Sequence, residues 1–154
     1  MKKGQFKEEQ IYSAVKKVKD AGIFVIGNYM FGMPDDDYES MQATLDMALE
    51  LNCEFANFYC GMAYPGSSLY GIAIEKGWKL PERWHDFSQH SYEMLPLPTE
   101  HLSAGEVISF RDKAWQTYFA NPRYLNLVRE KFGTAVVEHI TKLVSINLKR
   151  KHAT

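Results

Sequence analysis

The sequence predicts an α/β protein in which parallel strand–helix units are followed by a helical C-terminal region. Two apolar runs of strand length each precede a helical segment. Over residues 1–77 the order is helix, strand, helix, strand, helix, which is typical of consecutive βα units with helical crossovers. Further helical segments follow residue 102 without a strand pattern. We therefore divide the chain into βα units over 1–77, an ordered connection over 78–102 and a helical extension over 103–154.

The first helix and the first strand are predicted from apolar patterning. Residues 8–20 carry an i, i+3, i+4, i+7 stripe that predicts a helix, and Gly22 ends it. Residues 23–31 are apolar, rich in β-branched and aromatic side chains and without clean alternation, which favours a strand covered on both faces. The helical stripe consists of Ile11, Ala14, Val15 and Val18.

A second unit follows after a turn. Asp36, with Glu39 three residues later, predicts a capping box for a helix over 38–51. Residues 55–61 predict a second buried strand, and a turn at 64–67 leads into a helix that ends near Gly77. Two strands cannot form a stable, doubly covered sheet alone, so we expect missing sequence or a second copy to complete it.

The C-terminal half is predicted to be an aromatic-anchored connection followed by three helices. Ser103 and Glu106 form a capping box for a helix to about residue 119. Asn121 and the following proline begin a shorter helix that ends at Gly133. Thr134 caps a last helix running toward residue 149, so the basic run 149–152 is expected to be its cationic end. A small phosphate-binding patch is the alternative interpretation of this run.

Composition excludes several classes of protein. The chain has 154 residues, of which 45% are apolar and 14% aromatic, enough for one sizeable core. A net charge of −1 creates no field for nucleic acid or an anionic membrane, so neither partner is expected. The chain has no signal-peptide pattern, and no apolar window approaches the roughly 20 residues of a membrane span. Two cysteines in a Met-rich chain indicate a reducing compartment, and we expect the cytoplasm.

Both predicted strands end in loops suited to ligand binding. Parallel α/β proteins bind ligands where strands lead into helices. Gly32 and Gly61 would let the backbone approach a ligand closely, and the amides that open each following helix can bind an anion or a hydroxyl. The alternative is that these glycines only turn the chain.

Polar residues within the strands suggest a substrate-facing side. Strand alternation places Asn28 and Met30 on one face of the first strand, and Asn57 and Tyr59 on one face of the second. Polar side chains in apolar strands are typical of a barrel interior. Hydrogen bonding within the core is the alternative interpretation.

Taken together, the loops and strands resemble a known family. They are similar to the fifth and sixth strand region of the radical S-adenosylmethionine barrel, in the branch whose full-length members often carry an N-terminal cobalamin-binding domain. The recognisable segments lie within the first 75 residues; residues 88–99 resemble the C-terminal extension of one subgroup. The matching segments are Ala21-Gly22-Ile23, Phe31-Gly32-Met33-Pro34-Asp35-Asp36, Ala48-Leu49-Glu50-Leu51, Asn57-Phe58-Tyr59 and Tyr64-Pro65-Gly66-Ser67-Ser68-Leu69-Tyr70.

The resemblance implies a partial, half TIM-like barrel and a set of cofactor contacts. In the family, the fifth strand carries a degenerate glycine-and-aliphatic motif beside the adenine of the cofactor. Asn28, Met30, Gly32 and Asp35 match its successive positions, with Asn28 in place of glycine and Asp35 in place of glutamate. Gly61 is assigned to the cofactor side, and Asn57 and Tyr59 to the substrate side.

The resemblance also implies S-adenosylmethionine and a 4Fe-4S cluster in full-length members, with cobalamin as a further cofactor of the branch. The cluster requires three thiolates from a C-x-x-x-C-x-x-C loop. Cys53 and Cys60 are separated by six residues at opposite ends of a strand, so they are expected to be core cysteines. Alone, the chain should neither build the cluster nor cleave the cofactor, and it is expected to bind no cofactor tightly.

Two functional hypotheses follow from these observations. The first is a fragment of a radical S-adenosylmethionine enzyme, whose full-length form cleaves the cofactor reductively to a 5′-deoxyadenosyl radical. The second is a non-catalytic α/β module that self-associates, as a homodimer, through unpaired strand edges and the stripe of the first helix.

The sequence gives less support to other chemistry. His85, His90 and His101 lie in or beside the connection, but their spacing matches no metal-ligand pattern. A hydrolase or transferase that uses these histidines lacks any G-x-S-x-G, Walker A or G-x-G-x-x-G motif. Arg111 and Asp112 are expected on a solvated helix face. We assign no catalytic residue and no metal ligand.

Overall fold

The computed structural model describes residues 6–153 of the chain. Its elements alternate between helix and strand in the first half and are helical in the second half. They are α1 (Glu8–Asp20), β1 (Ile26–Phe31), α2 (Tyr38–Leu51), β2 (Phe55–Cys60), α3 (Ser68–Glu75), a short 3-10 helix (Trp84–Phe87), α4 (Ala104–Phe119), α5 (Pro122–Phe132) and α6 (Thr134–Val144).

The two strands pair in parallel, as the βα pattern predicts. Asn28 is aligned with Asn57, and Met30 with Tyr59. Helix α2 makes the crossover between the strands, and within residues 6–153 the sheet consists of these two strands. The predicted α/β class is therefore confirmed.

Only one face of this sheet is covered, which differs from the expectation of two covered faces. Side chains such as Tyr29, Phe31 and Phe58 point into the core beneath α2 and α4. On the opposite face, Ile26 is 57% exposed and Met30 49% exposed. The burial therefore alternates along both strands, because the described chain leaves most of this second face open. Phe132 of α5 contacts the face at Phe55.

The element boundaries largely agree with the predictions, and the differences concern α2, α6 and β1. The capping box of α2 is formed by Asp37 and Ser40, because the Asp36 carboxylate instead accepts the Met33 N–H at 2.9 Å. Helix α6 follows directly from Gly133, so Thr134 is not its cap. Strand β1 starts at residue 26, and α6 ends at residue 144. The Ser103–Glu106 capping box and the start at Asn121 are confirmed.

Helix α1 packs loosely against the rest of the chain. None of its residues is buried, and its predicted apolar stripe is partly exposed. It is held mainly by polar contacts: the Tyr12 hydroxyl donates to Glu50 at 2.5 Å, and the Lys19 ammonium donates to the Leu51 carbonyl at 2.7 Å. The described chain thus leaves the stripe of α1 only partly covered.

The connection over 78–102 lies along the carboxyl ends of the strands. The Gln89 side chain bonds both the N–H and the carbonyl of Cys60, at 3.0 and 3.1 Å, and so imitates a neighbouring strand. The Leu97 N–H donates to the Gly61 carbonyl at 3.1 Å. Phe87 is the buried aromatic anchor of this segment, whereas Trp84 is exposed. In the part of the chain that is described, no helix combines the length and apolar character that crossing a bilayer requires.

A buried carboxylate links the start of the sheet to the C-terminal helices. The side chain of Glu54 is fully buried and pairs with the Lys131 ammonium of α5. It also accepts the Val25 N–H at 3.0 Å. Burial by itself would raise the pKa of Glu54, but Lys131 and the Val25 N–H outweigh burial and hold that pKa below its usual value.

This lowered pKa predicts a specific loss of stability in acid. A carboxyl whose folded pKa is depressed stabilises the fold above its unfolded pKa of about 4.3, and that contribution is lost as pH falls through the folded value. Between about pH 4 and pH 2, the free energy of unfolding should therefore fall more steeply for the native sequence than for Glu54→Gln. Urea titrations at each pH measure both slopes, and equal slopes would contradict this assignment.

Candidate functional site

The exposed face of the sheet brings together the residues predicted on the substrate and cofactor sides. Asn28 and Asn57 are direct cross-strand neighbours, and the Asn57 Nδ2 donates to the Asn28 Oδ1 at 2.9 Å. Met30 and Tyr59 form the next aligned pair toward the carboxyl ends of the strands. These four side chains occupy one continuous face, of which Tyr59 is half-buried and the others are exposed.

Gly32 ends β1 in a conformation that favours glycine. Its φ is +76°, and a Cβ at this position would lie directly against the Cγ1 of Val107 in α4. The absence of a side chain at Gly32 therefore lets α4 pack onto the strand end. Asp35, which follows in the same loop, is exposed.

Gly61 ends β2 and lies against the Gly32 backbone. Its N–H donates to the Phe31 carbonyl at 2.7 Å, and an added Cβ would lie 2.5 Å from the Gly32 carbonyl oxygen. The two predicted ligand loops thus meet at one edge of the sheet. In the described chain, the space beside each glycine is filled by protein atoms, so packing alone requires both glycines.

The cysteines do not fit a cluster site. Cys53 and Cys60 are free, buried, and located just before β2 and at its end. Burial raises the pKa of the Cys60 thiol to about 11, so it is held in the neutral form. A 4Fe-4S cluster needs three thiolates, and these two buried thiols do not supply them.

The histidines do not converge on a metal. His85, His90 and His101 are all exposed. The Nε2 of His85 lies 3.1 Å from the Oδ1 of Asp86. Within residues 6–153, no group of three or more His, Cys, Asp or Glu side chains is arranged to hold a metal ion.

A groove that sequence reasoning missed runs along the free edge of β2. This edge groove has a volume of about 710 Å³. One wall is formed by residues 56–59 of β2 and by α4 residues between 109 and 116. His90 and part of the segment 143–153 complete the lining. The segment after α6 folds back across the connection, where the Lys151 N–H donates to the Tyr92 carbonyl at 2.9 Å.

The edge groove contains a buried ion cluster that contradicts two sequence predictions. The Arg111 side chain is 3% exposed rather than solvated, and its Nη1 lies 2.7 Å from Asp112. Arg150 was predicted at a solvated helix end, but it follows the end of α6 and its side chain is 2% exposed. Its Nε also pairs with Asp112, at 2.9 Å. Arg111 follows Val107 and Ile108 on an otherwise apolar helix face, and that position was the available signal of burial.

The chain is similar to a distant relative among known proteins. No protein-family model matches the chain. Over 117 residues, the chain is 26% identical to a protein named as an uncharacterized methyltransferase from Pyrococcus horikoshii. The aligned region covers 76% of this chain but 25% of the relative, so the chain spans about a quarter of that protein's length.

Proposed function

We propose that this chain is one part of a radical S-adenosylmethionine enzyme, in which it supplies the adenine-side and substrate-side walls of a half TIM-like barrel. The observation that carries the proposal is the exposed sheet face, where Asn28, Met30, Asn57 and Tyr59 lie side by side. In a closed barrel such a face lines the interior, and inward-facing side chains alternate with outward-facing ones.

The open edge of β1 supports a larger sheet. The Phe55 N–H donates to the Val25 carbonyl, and in a parallel pair alternate residues of a strand bond to its neighbour. The odd-numbered residues of β1 therefore bond to β2. The backbone groups of Ile26, Asn28 and Met30 point away from β2, toward the outer edge of β1. No strand within residues 6–153 pairs with that side. Further parallel strands would extend the sheet there, and closure of the extended sheet into a barrel would enclose the exposed face.

The relative supports a cofactor with a transferable methyl group. It is named as a methyltransferase, and this chain matches about a quarter of it. S-adenosylmethionine is a common methyl donor of methyltransferases, and an activity of this kind fits the proposed cofactor. We therefore assign the reaction to the complete enzyme, with this chain as a contributor of binding surface.

The amide pair on the sheet face suits an adenine ring. Because the Asn28 Oδ1 accepts from the Asn57 Nδ2, the Asn28 Nδ2 and the Asn57 Oδ1 remain as a donor and an acceptor on the exposed face. Adenine presents a neighbouring donor and acceptor on one edge. Since the two cysteines do not fit the cluster, the cluster ligands, and cobalamin where the branch uses it, belong to sequence outside this chain.

Photoaffinity labelling tests this assignment. With 8-azido-S-adenosylmethionine, we expect label on peptides that contain β1 or β2, suppressed by excess S-adenosylmethionine. Asn28→Ala should reduce labelling about tenfold. It removes the proposed hydrogen bond from the Asn28 Nδ2 to adenine, and it also removes the Oδ1 that orients the Asn57 amide. Asn126→Ala, an exposed asparagine on α5, is the matched control and should label normally.

Two outcomes would contradict the proposal. One is label that is distributed over other elements and unaffected by Asn28→Ala. The other is a stoichiometric iron–sulfur cluster formed on this chain alone after anaerobic reconstitution with iron and sulfide.

A self-associating module is the second candidate, and the exposed apolar face favours it. Ile23, Phe24, Ile26 and Phe55 lie exposed near one end of the sheet, and the unpaired β1 edge adjoins them. A homodimer would cover this patch without any catalytic role. Light scattering separates the candidates, because a strict monomer at micromolar concentration would contradict self-association.

A further inference from the structure

We propose that the edge groove along β2 binds a small organic anion, with an apolar or aromatic body and one carboxylate or phosphate group. The groove adjoins the adenine-facing side of the sheet and shares Asn57 and Tyr59 of β2 with it. The inference itself is argued from the ion cluster of Arg111, Asp112 and Arg150 and does not depend on the proposed function.

The ion cluster at the groove carries an excess positive charge. Arg111 and Arg150 both pair with the single carboxylate of Asp112. Their remaining contacts are to neutral atoms: Arg111 donates to the Gln89 carbonyl, and the Arg150 Nη1 donates to the Ser91 carbonyl at 2.8 Å. Two buried guanidinium groups therefore share one negative charge, and burying an uncompensated charge is costly.

Among the described residues, nearby groups do not remove this excess. The Cys60 thiol lies close to Arg111, but burial raises its pKa to about 11, so it stays neutral. Lys113 of α4 adds another cation to the lining of the groove. The Nε–H of Arg111 is buried and has no hydrogen-bond partner within residues 6–153. The electrostatic balance at the groove thus favours an anionic ligand.

The rest of the lining fits the body of such a ligand. Trp115, Ile146 and Leu148 provide apolar surface. The backbone groups of Ala56 and Phe58 point away from β1, since alternate residues of a parallel strand face opposite sides, and they offer hydrogen bonds at the groove wall. A volume of about 710 Å³ lies within the range of small-molecule sites.

Calorimetric titration with three matched compounds tests the proposal. The probes are phenyl phosphate, 3-phenylpropionate and the neutral alcohol 3-phenylpropanol. We expect at least one anion to bind about tenfold tighter than the alcohol, and the phosphate and carboxylate arms distinguish the preferred head group. Binding of the alcohol as tight as that of both anions would overturn the proposal.

Charge reversal locates the site. Lys113→Glu changes an exposed groove residue and should weaken the preferred anion about tenfold. Lys17→Glu makes the same change on the exposed face of α1, away from the groove, and should leave affinity unchanged. Equal weakening by the two variants, or none by Lys113→Glu, would refute binding in the edge groove.

Discussion

Replacing Gly61 with alanine should lower the free energy of unfolding by about 3 kcal/mol. The added Cβ would lie 2.5 Å from the Gly32 carbonyl oxygen, far inside van der Waals contact. That oxygen belongs to the backbone, so it cannot rotate away as a side chain would. The two strand ends must separate, which also weakens the bond from the Gly61 N–H to the Phe31 carbonyl.

Gly71→Ala is the matched control for this substitution. Gly71 lies in α3, and outside its own helix backbone and its chain neighbours no heavy atom of residues 6–153 lies within 4 Å of its added Cβ. Alanine is favoured over glycine in helices, so this variant should be as stable as the native sequence or more stable by up to about 1 kcal/mol. Urea denaturation monitored by circular dichroism gives both values. Equal stability of the two variants would show that the strand ends do not meet as described.

The second large effect is expected at the buried ion cluster. Asp112→Asn should destabilise the fold by about 3–5 kcal/mol, because it leaves Arg111 and Arg150 buried without a counter-charge. Asp20→Asn removes an exposed i, i+4 partner of Lys16 and should change stability by less than about 1 kcal/mol.

Arg150→Gln provides an internal comparison at the same cluster. This variant leaves one guanidinium paired with one carboxylate, so it should cost less than Asp112→Asn, although it frees the segment after α6. The three variants are measured by urea denaturation under the same conditions. A larger loss for Arg150→Gln than for Asp112→Asn would contradict an excess of positive charge at this site.

Local patterns in the sequence were sufficient for much of the fold. The span of α2 follows from its apolar periodicity and the acidic residues before it, although the cap is Asp37 rather than Asp36. That difference arises because adjacent aspartates compete, and Asp36 is engaged by the Met33 N–H. Strand alternation likewise predicted that Asn28 and Met30 share one face and that Asn57 and Tyr59 share another. The alignment of Asn28 with Asn57 across the strands is known only from the structure.

Long-range pairings were not predictable from the same patterns. Glu54 and Lys131 are 77 residues apart, and Arg150 and Asp112 are 38 apart, so neither pair produces a local periodicity. A basic run such as residues 149–152 has the same composition whether its arginine is buried or solvated. The exposure of one sheet face was also not predicted. An apolar strand has the same sequence whether its second face is covered by its own chain or by another part of an assembly.

The unequal edges of the sheet bear on how far copies of this chain can assemble. At Cys60, the Gln89 amide occupies the hydrogen-bonding groups of the outer β2 edge, whereas the outer edge of β1 is open. If two copies paired across a two-fold axis through β1, the strands at the junction would run antiparallel and both open edges would be consumed. The outermost β2 strands would then be blocked only in part, since Gln89 occupies the edge groups of Cys60 and the segment 143–153 lies across the groove beside Ala56 and Phe58. Addition of a further strand would have to displace both, so growth beyond the dimer would be hindered.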